Sequence, residues 1–177
     1  MSGHNKWSQI KRQKGAADAA KSNAFGKLAR RIIVESKAAK GDVNAVGLRS
    51  VIEKARQINM PKDKIMAAVA KGVSTDSGTL ESVVYESYGP GGAAIIISAL
   101  TDNRNRTAQD VKHILTKNGL ALAGLGSAAW AFARLPDGTY DAQTTVPLSE
   151  TDNEALMKIM DELDNHDDVE EVYTNAE

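Results

Sequence analysis

The chain of 177 residues contains no cysteine, which excludes disulfides, thiolate catalysis and cysteine-ligated zinc or iron–sulfur sites. Aromatic residues make up only 5% of the sequence, so Ala, Ile, Leu and Val must form most of the core. The longest apolar runs, 93–97 and 128–133, are far shorter than the roughly 20 residues of a membrane span. No apolar segment follows the basic N-terminus as in a signal peptide, so we expect a cytoplasmic protein without membrane association.

The sequence also lacks the patterns of common catalytic and metal sites. The histidines His4, His113 and His166 share no metal-ligand spacing, and there is no Gly-x-Ser-x-Gly motif. The segment 89–92 lacks the Gly-Lys-Ser/Thr ending of a phosphate-binding loop, and its glycines are interpreted as positive-φ residues of a hairpin turn. The acidic residues between 164 and 171 lack calcium-loop spacing and are interpreted as solvated surface. We therefore predict a protein that is not an enzyme, with no cofactor, metal or small-molecule substrate.

Acidic residues are scarce in the first part of the chain and abundant in the second. Residues 1–72 contain 16 Lys and Arg and five Asp and Glu, whereas residues 73–177 contain six and 18, giving net charges of +11 and −12. This asymmetry predicts that the first part binds a polyanion. The alternative is a solvated helical surface, which rarely excludes acids to this extent.

Helical periodicity dominates the first part. A first helix, ended by Gly41, is predicted from an apolar stripe with cations between its members: Phe25, Leu28, Ala29, Ile32 and Ile33. A second helix is predicted over 44–58, with four residues inward: Val51, Ile52, Ala55 and Ile58. A third has Pro61 in its first turn, Ile65 and Val69 inward, and its end at Gly72. These helices predict a small bundle.

The second part has the pattern of alternating strands and helices. Segments 81–88 and 93–100 predict a hairpin, followed by a helix over 107–118 with Gly119 as its C-terminal cap. A buried strand over 128–135, a tight turn at 137–138, a helix capped by Ser149 or Thr151, and a strand over 169–174 complete the chain. We predict an α+β protein, with a basic three-helix domain in residues 1–76. An acidic α/β sandwich follows in residues 77–177, with a mixed or antiparallel sheet ordered β-β-α-β then β-α-β.

Two basic groups are candidate nucleic-acid contacts. In the first, spaced cations would pair with phosphates and release counterions, and an aromatic residue would stack on a base or a ribose. Its members are Lys6, Trp7, Lys11, Arg12, Lys14, Lys21, Lys27, Arg30 and Arg31. Trp7 has a second interpretation, in which it packs with Ile10 on the bundle.

The second group is the pair Arg104 and Arg106, which precedes a predicted helix. Free N–H groups and the helix dipole favour an anion at such a position. The structural alternative is a capping device, in which Asn105 or Thr107 caps the helix and Asp102 ties the arginines into the loop.

Seven segments, in the same order along the chain, resemble the YebC family, which includes the mitochondrial translational activator of cytochrome c oxidase subunit one. The resemblance covers nearly the whole chain. The segments are Gly3-His4-Asn5-Lys6-Trp7 with Ile10-Lys11, Phe25-x-Lys27-Leu28-x-Arg30, Asn59-Met60-Pro61-Lys62-Asp63, Tyr85-Glu86-x-Tyr88-Gly89-Pro90-Gly91-Gly92, Thr101-Asp102-Asn103-Arg104-Asn105-Arg106-Thr107, Gly126-Ser127 and Asp167-Asp168-Val169-Glu170-Glu171-Val172-Tyr173-Thr174-Asn175-Ala176.

This resemblance implies a helical N-terminal domain joined to α/β domains. It also implies a non-enzymatic role, either as a DNA-binding transcriptional regulator or as a translation factor acting at the ribosome on difficult nascent sequences such as proline runs. The chain departs from the family in two places. Members usually carry a further α/β domain before the last β-α-β stretch, whereas 137–146 joins the flanks directly here. The family is often more basic around 20–23, where this chain has Ala20-Lys21-Ser22-Asn23.

We therefore predict a sequence-tolerant nucleic-acid-binding regulator that is monomeric. Its partner would be DNA in transcription, or ribosomal RNA and the ribosome in translation. RNA is the better physical fit, because no helix-turn-helix with base-reading side chains is evident. The alternative is a protein–protein adaptor whose acidic domain binds a basic partner without nucleic acid.

Overall fold

The computed structural model describes residues 18–74 and 79–177, with side chains from residue 22 onward in the first range. Its helices are α1 (Asp18–Ala38), α2 (Val46–Gln57), α3 (Lys62–Val73), α4 (Arg104–Lys117) and α5 (Glu150–Asp164). Its strands are β1 (Glu81–Tyr88), β2 (Ala94–Thr101), β3 (Leu122–Ala123), β4 (Phe132–Arg134), β5 (Tyr140–Ala142) and β6 (Val169–Thr174). The predicted α+β class is confirmed. The described residues form two compact units, the first made of 18–74 with 79–81 and the second of 82–177. The domain boundary between 76 and 77 stays a prediction.

The helical unit packs through the apolar stripe predicted for α1. Ile32 is fully buried, and four partly buried residues pack around it: Phe25, Leu28, Ala29 and Ile33. Helix α2 contributes Leu48, Val51, Ile52 and Ala55 to the same core, and α3 contributes Ile65, Ala68 and Val69. Each buried Leu, Ile or Val side chain in this core stabilises the fold by about 1.5–3 kcal/mol relative to exposure. The core therefore fixes which face of each helix remains in contact with water.

Close contact between α1 and α3 gives Gly72 a role other than the predicted helix stop. Gly72 does not end α3, which continues to Val73. A Cβ atom at residue 72 would lie 2.6 Å from the Ile33 carbonyl oxygen and 2.6 Å from the Ser36 Cβ atom. Nearby, the Ser36 hydroxyl donates a hydrogen bond of 2.7 Å to the Val69 carbonyl. Glycine is present because the two helix backbones approach closely, not because a helix ends there.

The second helix also ends earlier than predicted. Helix α2 ends at Gln57, and Asn59 adopts a positive φ of 61°, so the chain turns away at Ile58. Ile58 is 37% exposed and not inward, while Leu48 is fully buried. Pro61 lies at the N-cap of α3, with an extended ψ of 138°, and not within its first turn.

The second unit contains a four-stranded sheet in the order β3-β1-β2-β6. Strands β1 and β2 are neighbours joined by the turn 89–93, in which Gly91 and Gly92 have the predicted positive φ angles. Strand β6 pairs antiparallel with β2 from Ile95↔Thr174 onward, with an irregularity at Ser98 and Ala99. A second, two-stranded sheet is formed by β4 and β5.

Both faces of β2 are buried, which accounts for its continuous apolar sequence. Ile95 and Ile97 pack on the side of α4 and α5, together with the predicted α5 residues Leu156, Ile159, Met160 and Leu163. Ala94 and Ile96 pack on the opposite side with Phe132 and Tyr173, against the two-stranded sheet. The unit is therefore a layered sandwich with its two helices on one face of the main sheet.

The β4–β5 hairpin differs from the predicted strand over 128–135. Residues Ala129–Ala131 form a 3₁₀ turn, and only Phe132–Arg134 are extended. The tight turn at 137–138 is confirmed: Gly138 has a φ of 84°, and the Leu135 N–H donates to the Thr139 carbonyl at 2.8 Å. Within residues 18–74 and 79–177, no helix is both long and apolar enough to cross a membrane.

Candidate nucleic-acid interface

Three predicted cations lie on one face of α1. Lys27, Arg30 and Arg31 have i, i+3 and i+4 spacing, which places them side by side on a helix surface. All three are partly exposed, beside the stripe that anchors α1 to the core. The Arg31 Nη2 atom lies 3.0 Å from the Glu35 Oε1 atom in an ion pair along the helix. The arrangement is a positively charged surface carried by a packed helix.

The other predicted members of this group are described only in part or not at all. Lys21 belongs to α1 by its backbone, but its side chain lies outside the described residues. Five further predicted members lie outside them entirely: Lys6, Trp7, Lys11, Arg12 and Lys14. Their roles stay predictions, as does the choice between stacking and packing for Trp7.

The helical unit also carries exposed cations that were not predicted as contact residues. They are Lys37, Lys40, Arg49, Lys54, Arg56, Lys62, Lys64 and Lys71. The Lys64 Nζ atom lies 5.7 Å from the centroid of the Phe25 ring, so α3 places a cation next to the α1 stripe. These cations contribute to the net charge of +11 carried by residues 1–72. They were missed because they are scattered along the sequence, whereas those before residue 32 are clustered.

Arg104 and Arg106 lie at the beginning of α4, but the cap is not the predicted one. The N-cap is Asn103, whose side-chain oxygen accepts a hydrogen bond of 3.1 Å from the Arg106 N–H. The predicted caps Asn105 and Thr107 both lie inside α4, which begins at Arg104. The predicted contact between Asp102 and the arginines is confirmed for Arg106, because Arg106 Nη2 forms an ion pair with Asp102 Oδ1 at 2.8 Å.

The sequence predicted that Asp168 belongs to a solvated acidic end. In the structure Asp168 is instead buried, with only 3% of its surface exposed. Its Oδ2 atom accepts hydrogen bonds from the Thr107 hydroxyl at 2.7 Å and from Arg106 Nη2 at 2.9 Å. Since Thr107 donates to Asp168, the 2.7 Å contact between the two threonine hydroxyls requires Thr101 to donate to Thr107. Thr101 in turn accepts from the Asn103 N–H at 2.9 Å. Each of the two threonine hydroxyls therefore donates to an acceptor within this network.

Arg106 is largely charge-compensated by this network. The pKa of Arg106 is raised above its ordinary value, most of all by the hydrogen bond to Asp168 and next by the hydrogen bond to Asp102. The backbone carbonyl of the neighbouring Arg104 accepts a long hydrogen bond of 3.4 Å from the Tyr85 hydroxyl. The side chain of Arg106 is thus built into the β2–α4 junction, whereas Arg104 contacts Tyr85 there through its backbone carbonyl. A ligand phosphate would compete with carboxylates for Arg106.

Among residues 18–74 and 79–177, no three His, Asp or Glu side chains are grouped so that they could hold a metal ion. The His166 Nδ1 atom accepts a hydrogen bond of 3.1 Å from the Asp168 N–H. The proton of the neutral ring therefore lies on Nε2, which is 3.2 Å from Asp110 Oδ2. This histidine orders the turn between α5 and β6.

A buried carboxylate organises the loop between β3 and β4. Glu86 is 4% exposed, and its Oε1 atom accepts a hydrogen bond of 2.7 Å from the Gly126 N–H. Its Oε2 atom accepts from the Ala128 and Ala129 N–H groups at 2.7 and 2.9 Å. Burial alone would raise the pKa of Glu86, but the three N–H bonds outweigh burial and lower it. Sequence reasoning missed this role because backbone donors leave no side-chain signature.

The loop held by Glu86 presents an exposed aromatic residue. Trp130 is 60% exposed, and its Nε1 atom donates a hydrogen bond of 2.8 Å to the Tyr88 hydroxyl. The Tyr88 hydroxyl donates in turn to the Ser127 carbonyl. The indole is therefore fixed at its polar edge while much of its surface contacts water.

Comparison with known proteins places this geometry in a family. A model of the TACO1/YebC protein N-terminal domain matches residues 5–75, and a model of the TACO1/YebC second and third domain matches residues 80–136 and 137–176. The chain belongs to the TACO1/YebC family. This confirms the resemblance drawn from the motifs.

Two bacterial relatives in the family are each called "Probable transcriptional regulatory protein". The one from Fervidobacterium nodosum is 37% identical over 236 aligned residues, covering 99% of this chain and 93% of the relative. The one from Petrotoga mobilis is 43% identical over 179 residues, covering 100% of this chain and 71% of the relative. The first alignment is longer than the 177-residue chain, so that relative has internal residues without a counterpart here. This agrees with the predicted absence of an inserted family domain.

A similar crystal structure is that of a conserved hypothetical protein, Aq1575, from Aquifex aeolicus. It superimposes with a TM-score of 0.87 at 28% sequence identity. The match covers 98% of this chain and 97% of that chain. The family fold is therefore retained in this shorter member.

Proposed function

We propose that this protein is a non-enzymatic, nucleic-acid-binding regulator of gene expression, and that its basic helical unit makes the phosphate contacts. The observation that carries the proposal is the row Lys27, Arg30 and Arg31 on one face of α1, beside the apolar stripe that packs α1 into the core. Cations fixed on a packed helix lose less conformational freedom on binding than those of a flexible tail. The regulatory names of the relatives support the same role.

Structured RNA is the nucleic acid that we favour. Helix α3 follows a short turn after α2, as a recognition helix would, yet its exposed side chains include no Asn, Gln or Arg. They are Lys62, Asp63, Lys64, Met66, Ala67, Ala70, Lys71 and Val73. The lysines of such a helix can contact phosphates, but the helix lacks the Asn and Gln side chains that pair with adenine and the Arg side chain that is the usual partner of guanine. Recognition of RNA shape and backbone needs no base-reading helix.

Duplex DNA is the second candidate, because the relatives are called transcriptional regulators. We assign Arg104 and Arg106 the smaller part of the interface, because Arg106 is already paired with two carboxylates. Their contact with phosphate stays a prediction, as do those of Lys6, Trp7, Lys11, Arg12, Lys14 and Lys21.

Fluorescence anisotropy with a hairpin RNA and a duplex DNA, across a salt series, tests the proposal. Replacing Lys27, Arg30 and Arg31 together by alanine should weaken binding and lower the salt slope by about 1 per lost phosphate contact. Alanine at Lys112 and Lys158, two exposed lysines of the acidic unit, is the matched control and should leave the slope unchanged. Absence of binding to both nucleic acids at low salt would refute the proposal and favour a protein–protein adaptor.

The physiological target requires an experiment in lysate. Tagged protein should sediment with a nucleic-acid component, and crosslinking should identify it as ribosomal RNA or as chromosomal DNA. Crosslinks to ribosomal RNA support a translation factor, and crosslinks to DNA support a transcriptional regulator. Sedimentation with neither component would contradict both assignments.

A further inference from the structure

The helical unit contains a groove that the phosphate contacts of α1 do not use. It has a volume of about 260 Å³ and is lined by α2, α3 and the loop before α2. Ile52 and Ile65 form its buried floor, while Met66 and Val43 are 46% and 39% exposed. No lining residue belongs to α1. This α2–α3 groove therefore presents an apolar surface separate from the row Lys27, Arg30 and Arg31.

The rim of the groove carries a distinctive order of charges. Arg49, Glu53 and Arg56 line it with i, i+4 and i+7 spacing on α2, and Lys62 lines it at the beginning of α3. Within the described residues, Arg49, Arg56 and Lys62 form no ion pair with any carboxylate. The rim thus offers positive charges on either side of one negative charge, around an apolar floor.

This combination suits a protein segment better than a nucleic acid. A uniform polyanion would meet Glu53 between the two arginines of α2. The lining contains no aromatic residue on which a base could stack. Aliphatic side chains and an adaptable methionine instead match the apolar face of an amphipathic helix, a common ligand of grooves between helices.

We propose that the α2–α3 groove binds an acidic amphipathic helix of a partner protein. Apolar side chains of that helix cover Met66 and Val43, and its carboxylates pair with Arg49, Arg56 and Lys62. A basic residue of the helix faces Glu53. This protein contact would let the regulator bind nucleic acid through α1 and a protein through α2 and α3.

Amide chemical shifts of the ¹⁵N-labelled full chain test the proposal with defined probes. The first probe is a panel of stapled helical peptides with leucine, isoleucine or methionine at i, i+4 and i+7, glutamate on both flanks, and one arginine among the glutamates to face Glu53. The second is the same panel with lysine in place of glutamate, and the third is single-stranded oligouridylate. The acidic panel should shift amides between Arg49 and Met66, and the lysine panel should not.

Matched variants separate groove binding from general charge effects. Arg56→Glu should weaken the acidic peptide by about threefold or more, the effect expected for an exposed charge pair. Lys54→Glu makes the same charge change in the same turn of α2, outside the groove lining, and should have no effect. Met66→Gln should weaken binding by a similar factor, while Ala67→Gln should not.

Three results would overturn the proposal. The first is that no acidic peptide binds, and the second is that Lys54→Glu weakens binding as much as Arg56→Glu. The third is that oligouridylate shifts the groove amides in place of the peptides, which would make the groove part of the nucleic-acid surface. Hairpin RNA binding by the alanine variants of α1 is measured separately, so failure of the groove proposal and failure of the proposed function are distinguishable.

Discussion

Replacing Glu86 by glutamine should destabilise the sheet-containing unit by about 2–4 kcal/mol. The carboxylate accepts three backbone N–H bonds, one at Oε1 and two at Oε2. Glutamine has one oxygen, so its amide group must face at least one N–H group, that of Gly126. An unpaired buried donor costs about 1–3 kcal/mol, and the other two bonds lose the extra strength of a charged acceptor.

Trp130 provides a local probe of this unfolding. The chain has two tryptophans, so a Trp7→Phe background leaves Trp130, in the loop that Glu86 holds, as the fluorescent reporter. Urea unfolding at pH 7 gives the free energy of the unit that contains it. The expected loss corresponds to a melting temperature lower by roughly 8 °C or more. Glu154→Gln, an exposed replacement on α5, is the control and should stay within about 0.5 kcal/mol.

The stabilisation that Glu86 provides should decrease as the pH falls. The pKa of Glu86 is lowered in the folded protein, so its stabilising effect is complete above the ordinary pKa of glutamate. That effect is lost as the pH falls through the lowered folded-state pKa. The stability difference between the parent and Glu86→Gln should therefore shrink in acid. A difference below about 0.5 kcal/mol at pH 7, or one that grows as the pH falls, would refute the role given to Glu86.

Two further substitutions test contacts that join distant segments. Gly72→Ala should destabilise the helical unit by about 1–3 kcal/mol, because the new Cβ would meet the α1 backbone at 2.6 Å. Gly26→Ala, with no atom within 4 Å, should be neutral or stabilising, and equal thermal shifts for both would contradict the close approach. Thr107→Val should cost about 1.5–3 kcal/mol in urea unfolding because it removes a hydroxyl bonded to the Asp168 carboxylate. The exposed Thr116→Val on the same helix is the control, and an equal loss there would argue against the network.

Local periodicity was sufficient to predict the buried faces of the longer helices. The α5 residues Leu156, Ile159, Met160 and Leu163 are all buried, as their spacing indicates. The α1 stripe likewise packs in the core, so the position of Lys27, Arg30 and Arg31 beside it follows from the sequence. In these helices, one apolar stripe decides the orientation of the whole element.

Contacts between distant segments explain most of the errors. Gly72 has the local signature of a helix end, and its close approach to Ser36 is visible only once α1 and α3 are packed. Asp168 lies among other acids in sequence, which indicates a solvated surface, yet its partners Arg106 and Thr107 are about 60 residues away. Periodicity carries no information about such pairings.

Short strands were missed for a related reason. Strands β3 and β5 contain two and three residues, too few for a pattern of alternation. The predicted strand over 128–135 was too long because Glu86 accepts hydrogen bonds from the N–H groups of Ala128 and Ala129, which a longer strand would use for pairing. One acid in β1 thus changes the conformation of a segment some 40 residues later.

The turn that joins β4 to β5 has a consequence for protein engineering. Its ends are held together by the Leu135 N–H bond to the Thr139 carbonyl, and the Gly138 N–H also bonds to Leu135. The two pieces of the family match meet there, at residues 136 and 137. A polypeptide spliced into this turn would leave and re-enter the sandwich at adjacent points, so the flanking strands could keep their register. The turn is therefore a natural graft site, suited to a fluorescent reporter or an affinity tag.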